Sequence, residues 1–460
     1  MPKIKNKEAL IENAKSKLDK KARILALDAL ETALRAANPK EIIKSKVTVK
    51  GNTLKIGQQK FDLNKFGHIY VVGGGKASGK MAEVLEQIFG NRISSGIVNI
   101  PYGNGFCKTR KIRLQEANHP IPDDAGMKGA KEMLDLVDHA DKDDLIFCLI
   151  SGGGSSLMPL PRGKITLDDK RQITDALLKS GATINEINTV RKHISNFKGG
   201  WLGKKAYPAT VINLILSDVI GDPLDFIASG PTVPDSTTFA DAVEILKRYS
   251  LWEKLPQSVE AVLIDGQRGL ITETPKRGDK VFKKTYNIIV GNNRSATLAA
   301  QKRLQKAGLH SLLLTSFLEG EAKHVGTMLA SIAKEVEVSG NPMPKPCGIV
   351  AGGETTVTVF GNGKGGRNQE ITLSAALKIS GMDGVVIASL STDGVDGPTE
   401  AAGALADGKT IICSQEQRLN ARSFLAKNDS FNFFSKLDDL IFTGLTGTNV
   451  NDISIIIAIE

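Results

Sequence analysis

At 460 residues the chain is too long for one ordinary hydrophobic core, so two or three domains are expected. With 41% hydrophobic and 24% charged residues it has the composition of a globular protein, neither disordered nor fibrous. The net charge of +10 raises the question of a nucleic-acid partner, but aromatics are only 5% and no stacking residues are interleaved with the cations, which argues against one.

Much of the positive excess is local. Over residues 1–23, Lys3, Lys5, Lys7, Lys15, Lys17, Lys20, Lys21 and Arg23 face only Glu8, Glu12 and Asp19, a pattern read as a solvated, partly frayed N-terminal helix, with 1–22 as a basic N-terminal segment. Apolar residues then recur at helical spacing over 22–37, and Asn38-Pro39 stops them. Val47, Val49, Leu54 and Ile56 alternate about Lys50-Gly51-Asn52-Thr53, predicting a hairpin. From residue 68 the pattern is strand, turn, helix: strands at 68–72, 96–100, 112–116, 145–150 and 210–216, helices at 76–89, 124–138, 167–180, 186–194 and 239–249. Thr166 and Asp169 form a capping-box start for one helix. The charged, glycine-containing stretch 265–284 is expected to be a linker between domains at 1–270 and 280–460. Beyond it come a strand at 286–290, a helix capped by Gly291-Asn292-Asn293, a strand at 311–315 and a helix after Glu319. Further strands are expected at 348–351, 355–360, 385–390, 439–442 and 453–458.

Alternating β and α units of this length argue for a largely parallel sheet covered on both faces. The longest apolar run, Ile453 to Ile459, is broken by Ser454 and falls far short of the roughly 20 residues a membrane span needs, so no membrane partner is expected. Cys107, Cys148, Cys347 and Cys413 form no CxxC pair. Cys148 and Cys347 read as core thiols, and a reducing, cytoplasmic location fits.

Three strand exits carry the chemistry. Val71-Val72 runs into Gly73-Gly74-Gly75-Lys76, Leu149-Ile150 into Ser151-Gly152-Gly153-Gly154-Ser155-Ser156, and Val350-Ala351 into Gly352-Gly353-Glu354. Glycines let backbone N–H groups approach a ligand closely, and such turns at strand ends are suited to holding an oxyanion, phosphate above all. Two familiar fingerprints nearly fit the first turn. Gly74 to Lys80 matches a P-loop, but Met81 stands where the Mg²⁺-binding hydroxyl belongs. As a Rossmann turn it needs a ribose-binding acid at the end of the next strand, which instead ends Asn99-Ile100-Pro101. Lys76 is a cation at a helix start, unfavourable to the helix unless an anion sits there.

Arg191, in a short helical segment, could clamp a carboxylate or phosphate, and an ordinary ion-paired arginine is the alternative. Asp218 and Asp222 follow an apolar strand and suit a hydrated Mg²⁺, with turn-capping aspartates as the alternative. Gly365-Gly366-Arg367-Asn368-Gln369-Glu370 opens a helix, and Asp393 and Asp396 lie in a glycine loop that lacks EF-hand spacing. His119 reads as a loop histidine feeding the helix cap at Asp123. No HExxH, clustered Cys/His or GxSxG elbow occurs, which argues against zinc and serine hydrolases.

The segments VVGGGKASGKM, HPIPDDAG, LISGGGSSLMPLP, INTVRKHISNFKGG, LSDVIGDPLDFIASGPTVPD, AGGETTVTV, GKGGRNQE, STDGVDGPTEAAGA and TGTNVND together resemble the glycerate kinases that carry the MOFRL domain, over about residues 68 to 452. The resemblance implies two α/β domains: a largely parallel, doubly wound Rossmann-like one, and a smaller mixed one with its MOFRL region at about 347–455. The active site is expected in the cleft between them. It implies ATP-dependent phosphorylation of D-glycerate, most often at the 2-hydroxyl, with Mg²⁺ or another divalent cation. A glycerate 3-kinase and an NAD(P)H-dependent hydroxypyruvate reductase are the alternatives. The family's turn lysine falls on Lys76 and its two arginines on Arg191 and Arg367. On this reading Gly73, Gly74, Gly75 and Ser78, with Ser151, Gly152, Gly153, Gly154, Ser155 and Ser156, bind phosphates, and Lys76 stabilises the transferred group. Arg191 and Arg367 share the substrate carboxylate and γ-phosphate, with the division left open. Asp218 or Asp222 holds Mg²⁺ or takes the hydroxyl proton, with Asp393 and Asp396 as the competing pair. Glu354, Asn368 and Asp396 are further binding candidates. A homo-oligomer is compatible with the sequence.

Overall fold

The computed structural model describes residues 3–103 and 107–460. The chain forms two compact units, Ile42–Val290 and the combination of Met1–Glu41 with Gly291–Glu460.

The unit Ile42–Val290 opens with the small antiparallel sheet β1 (Val47–Lys50), β2 (Thr53–Ile56) and β3 (Gln59–Asp62), the expected hairpin plus one strand. Its main sheet comprises β4 (Ile69–Gly74), β5 (Ser95–Pro101), β6 (Ile112–Ala117), β7 (Leu145–Ser151), β8 (Thr210–Leu216) and β9 (Thr285–Gly291). The spatial order is β6-β5-β4-β7-β8-β9, and the pairings among β4 to β8 are all parallel. This is the Rossmann strand order, and it reverses direction between β4 and β7. Every residue of β7 and β8 is buried, which explains their unbroken apolar runs: strands covered on both faces have no solvent side to alternate toward. Val72, Met133, Ile146, Cys148, Ile150 and Val211 lie in one core cluster of this sheet.

Beside this core sits a helical cluster of Leu167–Lys179, Ile184–His193, Phe239–Arg248 and Gln257–Gln267, joined by Ile173, Ile187, Phe239 and Val259. Thr166 and Asp169 make the expected reciprocal capping box. The supposed linker 265–284 is instead part of this unit. Glu273 accepts from the Phe239 backbone N–H at 2.9 Å and lies 3.0 Å from His193 Nε2, so charge that looked solvated in sequence is spent on internal contacts.

The other unit is built on a six-stranded mixed sheet of β10 (His310–Leu318), β11 (Cys347–Gly353), β12 (Val385–Ser391), β13 (Gly403–Asp407), β14 (Leu440–Ile441) and β15 (Asp452–Ala458). Its order is β10-β11-β15-β12-β13-β14, parallel only at β10–β11. The expected strand at 355–360 does not form. Val359 and Phe360 are largely exposed, and Thr356 makes a single bridge to Glu321, because alternation alone supplies no partner edge.

The N-terminal segment belongs to this second unit rather than to the first. Ser16 caps a helix Lys17–Ala36, and Leu10, Leu27 and Leu30 are fully buried. Arg23 is buried against Asp407 and Asp439 at 2.6 Å each. The Lys7 ammonium pairs with Asp28 and Glu31 at 2.7 and 2.6 Å. The basic stretch is therefore docked, not frayed.

Candidate functional site

In the Rossmann-like unit the glycine turns after β4 and β7 meet at the point where strand order reverses. Lys76 N–H donates to the Gly152 carbonyl at 2.8 Å, and Ala77 N–H to Ser151 Oγ at 3.0 Å. Ser78 Oγ reaches the Leu149 carbonyl and Ser151 Oγ, both within 3.1 Å, so these two serines fasten the turns together rather than offering free hydroxyls. Gly75 sits at φ +151°, where a Cβ would collide with Ser151. Gly152 is required for a different reason: a Cβ there would collide with the Asp218 carboxylate, which lies directly against the turn. Gly153, at φ +82°, caps the one-turn helix Gly154–Leu157.

Two side chains bound the space over Gly153. A Cβ there would come within 2.8 Å of His119 Cδ2 and 3.5 Å of Lys76 Cγ. Sequence reasoning missed His119 as a site residue; Asp123 caps its helix through Gly126 N–H. Burial, aided by the Lys76 ammonium, pushes His119 down to about 4, so its ring is neutral at pH 7. Ser155 Oγ is 2.9 Å from Ser229 Oγ, which donates to Asn188 at 3.1 Å. Asp222 occupies a left-handed turn at φ +56°.

Next to Ser155 and Ser156 opens a cavity of about 530 Å³ that contains Arg191, as expected, and two lysines not picked out from the sequence, Lys170 and Lys198. Lys198 Nζ donates to the Ser155 carbonyl at 2.7 Å. Lys170 Nζ is buried without any hydrogen-bond partner. Burial, reinforced by Arg191, pushes Lys170 down to about 7. Burial together with Lys170 and Arg191 holds Lys198 well below its usual range.

In the other unit Arg367 opens the helix Arg367–Ile379 and holds Glu354 at 2.6 Å and Asp452 at 2.5 Å. Burial works against its charge, but Asp452 and Glu354 outweigh it and hold the guanidinium above its usual range. This brings the third glycine turn, through Glu354, to Arg367. Asp396 is a correction to the metal expectation. Its two oxygens accept from the backbone and side-chain amides of Asn368 and Gln369, four bonds of 2.9–3.1 Å, so it locks a helix start. Asn368 is equally engaged, accepting from Ser389 Oγ at 2.6 Å. Asp393 accepts from Ser391 Oγ and Val395 N–H within its own loop. Among the described residues no group of three or more His, Cys, Asp or Glu side chains could hold a metal by itself.

The model of a domain of unknown function, DUF4147, matches residues 25–264, and that of the MOFRL family matches residues 347–452. The chain is 43% identical to the glycerate 2-kinase of Pyrococcus horikoshii, over 95% of this chain and 97% of that one. It is 39% identical to the D-glycerate 2-kinase of Thermotoga maritima, over 94% and 97%. A protein of Agrobacterium vitis, 43% identical over 85% and 87%, carries the name "Putative hydroxypyruvate reductase". The crystal structure of a glycerate kinase from Thermotoga maritima superposes with a TM-score of 0.86 at 38% identity, over 95% of this chain and 99% of that one.

Proposed function

The chain belongs to the glycerate 2-kinase family that carries the MOFRL domain and is a phosphotransferase acting on an alcohol group of glycerate, and from that premise we propose how its residues divide the work with ATP and Mg²⁺. The observation that carries the reading is the meeting of two glycine turns at the β4–β7 reversal, with Lys76 above and Asp218 against them. Open α/β sheets bind ligands at such points.

ATP fits this site in kind, because both glycine turns end parallel strands where the strand order reverses and the side chains of Lys76 and the neutral His119 stand over Gly153. Mg²⁺ fits as well: it is commonly held by one or two carboxylates plus substrate phosphates, and Asp218 is so placed. When bound, the ion supplies charge neutralisation on the phosphate oxygens. In the transfer, the 2-hydroxyl oxygen of D-glycerate forms a bond to the γ-phosphorus while the bond to the β–γ bridging oxygen breaks. The hydroxyl proton passes to Asp218, and ADP leaves. Lys76 stabilises charge on the three γ-oxygens, the main task a kinase has to perform. His119, neutral at pH 7, walls the turn without adding a second positive charge beside Lys76. Arg191 binds an anionic group, and Arg367, tied to Glu354 and Asp452, orients the polar turn at the end of β11.

The name hydroxypyruvate reductase on a relative is not matched by a nicotinamide-binding feature in the Rossmann-like sheet. β5 ends Asn99-Ile100-Pro101 without a ribose-binding acid, and the Asn99 amide is used internally on the Gly126 and Leu157 carbonyls. Phosphorus NMR after incubation with ATP, Mg²⁺ and D-glycerate is expected to show 2-phosphoglycerate. Lys76→Ala is expected to keep the fold and lower kcat/KM by roughly 10²-fold or more. Hydroxypyruvate-dependent loss of nicotinamide absorbance, with no phosphoglycerate formed, would overturn the proposal.

A further inference from the structure

Three cations share the floor of the cavity beside Ser155 and Ser156. Lys170 is 5% exposed, Lys198 is 1% exposed, and Arg191 is largely buried beside them. Among the described residues none of the three is paired with a carboxylate. The acidic side chain at the cavity's edge, Asp175, is turned to Lys179 at 2.7 Å, and the edge arginine Arg171 to Asp168 at 2.6 Å. Burying one charge without a partner is expensive, and burying three of one sign together is more so. Such a floor is retained against that cost where a ligand brings the missing negative charge.

Two properties of the cavity identify the ligand. The first is charge. A single carboxylate offsets one cation, whereas a nucleotide's phosphate chain offsets all three. The second is the wall. Ile121, Pro122, Pro159 and Leu178 line it, and Ile121 and Leu178 are 60% and 58% exposed. Glycerate, three carbons with two hydroxyls and a carboxylate, has no apolar face to cover them and would fill little of about 530 Å³. A nucleoside has both the size and the planar apolar surface.

We propose that this cavity is the nucleotide site: Lys170, Arg191 and Lys198 bind the phosphate chain, and Ile121 and Leu178 pack on the nucleoside. The inference rests on the kinase reading and deepens it by giving Arg191 to the nucleotide rather than to the substrate carboxylate. The cavity adjoins the Gly152–Gly154 turn through Ser155 and Ser156, so a chain of phosphates anchored on the three cations has its far end at the turns that Lys76 overlooks. Lys198 also holds the Ser155 carbonyl and thereby couples the floor to that turn.

The test is calorimetric titration of the full chain and of Lys170→Met and Lys198→Met with ADP and, separately, with D-glycerate and inorganic phosphate. Each variant is expected to lose roughly tenfold or more in ADP affinity, the scale of a lost charge-assisted contact, with D-glycerate affinity unchanged. Weakened glycerate binding with ADP unaffected assigns the floor to the substrate carboxylate and overturns the proposal. Unchanged binding of both ligands overturns it too, as does equal loss of both. Retained binding of inorganic phosphate by both variants, with ADP weakened, still supports it, because phosphate alone can lodge on the glycine turns. ADP binding is read without turnover, so failure of glycerate phosphorylation and failure of this assignment are separate results.

Discussion

Replacing Lys170 by methionine should stabilise the ligand-free protein. The substitution keeps most of the stem that packs in the cavity and removes an ammonium that has no partner. Burial, with help from Arg191, lowers this lysine from 10.5 to about 7, a difference worth roughly 5 kcal/mol between its protonation states. At pH 7 about half the folded molecules have shed the proton while the unfolded chain keeps it, which leaves about 4 kcal/mol acting against the fold. Local relaxation reduces the gain, so about 2–4 kcal/mol is expected. The sign with pH follows directly. Below pH 7 both states are protonated and the penalty is complete; above about 10.5 neither is, and it vanishes. Wild-type stability therefore rises with pH across this window, and the advantage of the variant shrinks. Losing the ammonium also relieves Lys198, which Lys170 holds down, and this adds to the effect in the same direction. Denaturant unfolding of both proteins without ligand, at pH 6.5, 8 and 9.5, measures the difference. A variant no more stable than wild type at pH 6.5, or a gap that stays constant to pH 9.5, would refute the reasoning about the unpaired buried amine.

Asp218→Asn should raise the Mg²⁺ concentration needed for half-maximal turnover, whereas Asp393→Asn should not; a magnesium titration of initial rates gives the answer, and the reverse order would move the metal to the second unit. Arg23→Ala leaves Asp407 and Asp439 buried without their shared counter-charge and should cost about 3–5 kcal/mol in denaturant unfolding, while a cost below about 1 kcal/mol would mean that the N-terminal helix is not held by this pair.

The centre of the Rossmann-like sheet was legible because β7 and β8 are buried along their whole length and therefore appear as apolar runs, and because β4 and β7 exit into glycine turns. Sequence reasoning failed where local pattern and tertiary partner part company. Residues 355–360 alternate as a strand should, yet no sheet edge is available to them. β13, in contrast, is Gly-Ala-Leu-Ala-Asp, too short and small to stand out, and it becomes a strand because β12 and β14 flank it. The site divides the same way. Lys76 was visible because glycines isolate it at a strand end. Lys170 lies in Leu-Asp-Asp-Lys-Arg, where it resembles any solvated lysine on a helix, and only the packing of that helix puts it under the cavity. Asp396 erred in the other direction: its loop looks metal-binding, but four amide donors consume its oxygens.

The order of strands in the second sheet has a consequence for synthesis. β15, which lies between β11 and β12, is the last strand to be made, so this sheet is split down its middle until residue 458 has been added. Arg23 waits still more conspicuously, since its partners follow 384 and 416 residues later. At about 5–20 residues per second that interval is roughly 20–80 s. Throughout it the helix Lys17–Ala36 carries its apolar stripe, Leu27 and Leu30 included, with only the short preceding helix Lys7–Glu12 of its own unit beside it, whereas the intervening unit Ile42–Val290 is complete long before and can close first. A nascent chain of this design emerges with its earliest segment finishing last, and the lysines that crowd that segment keep it hydrated in the meantime.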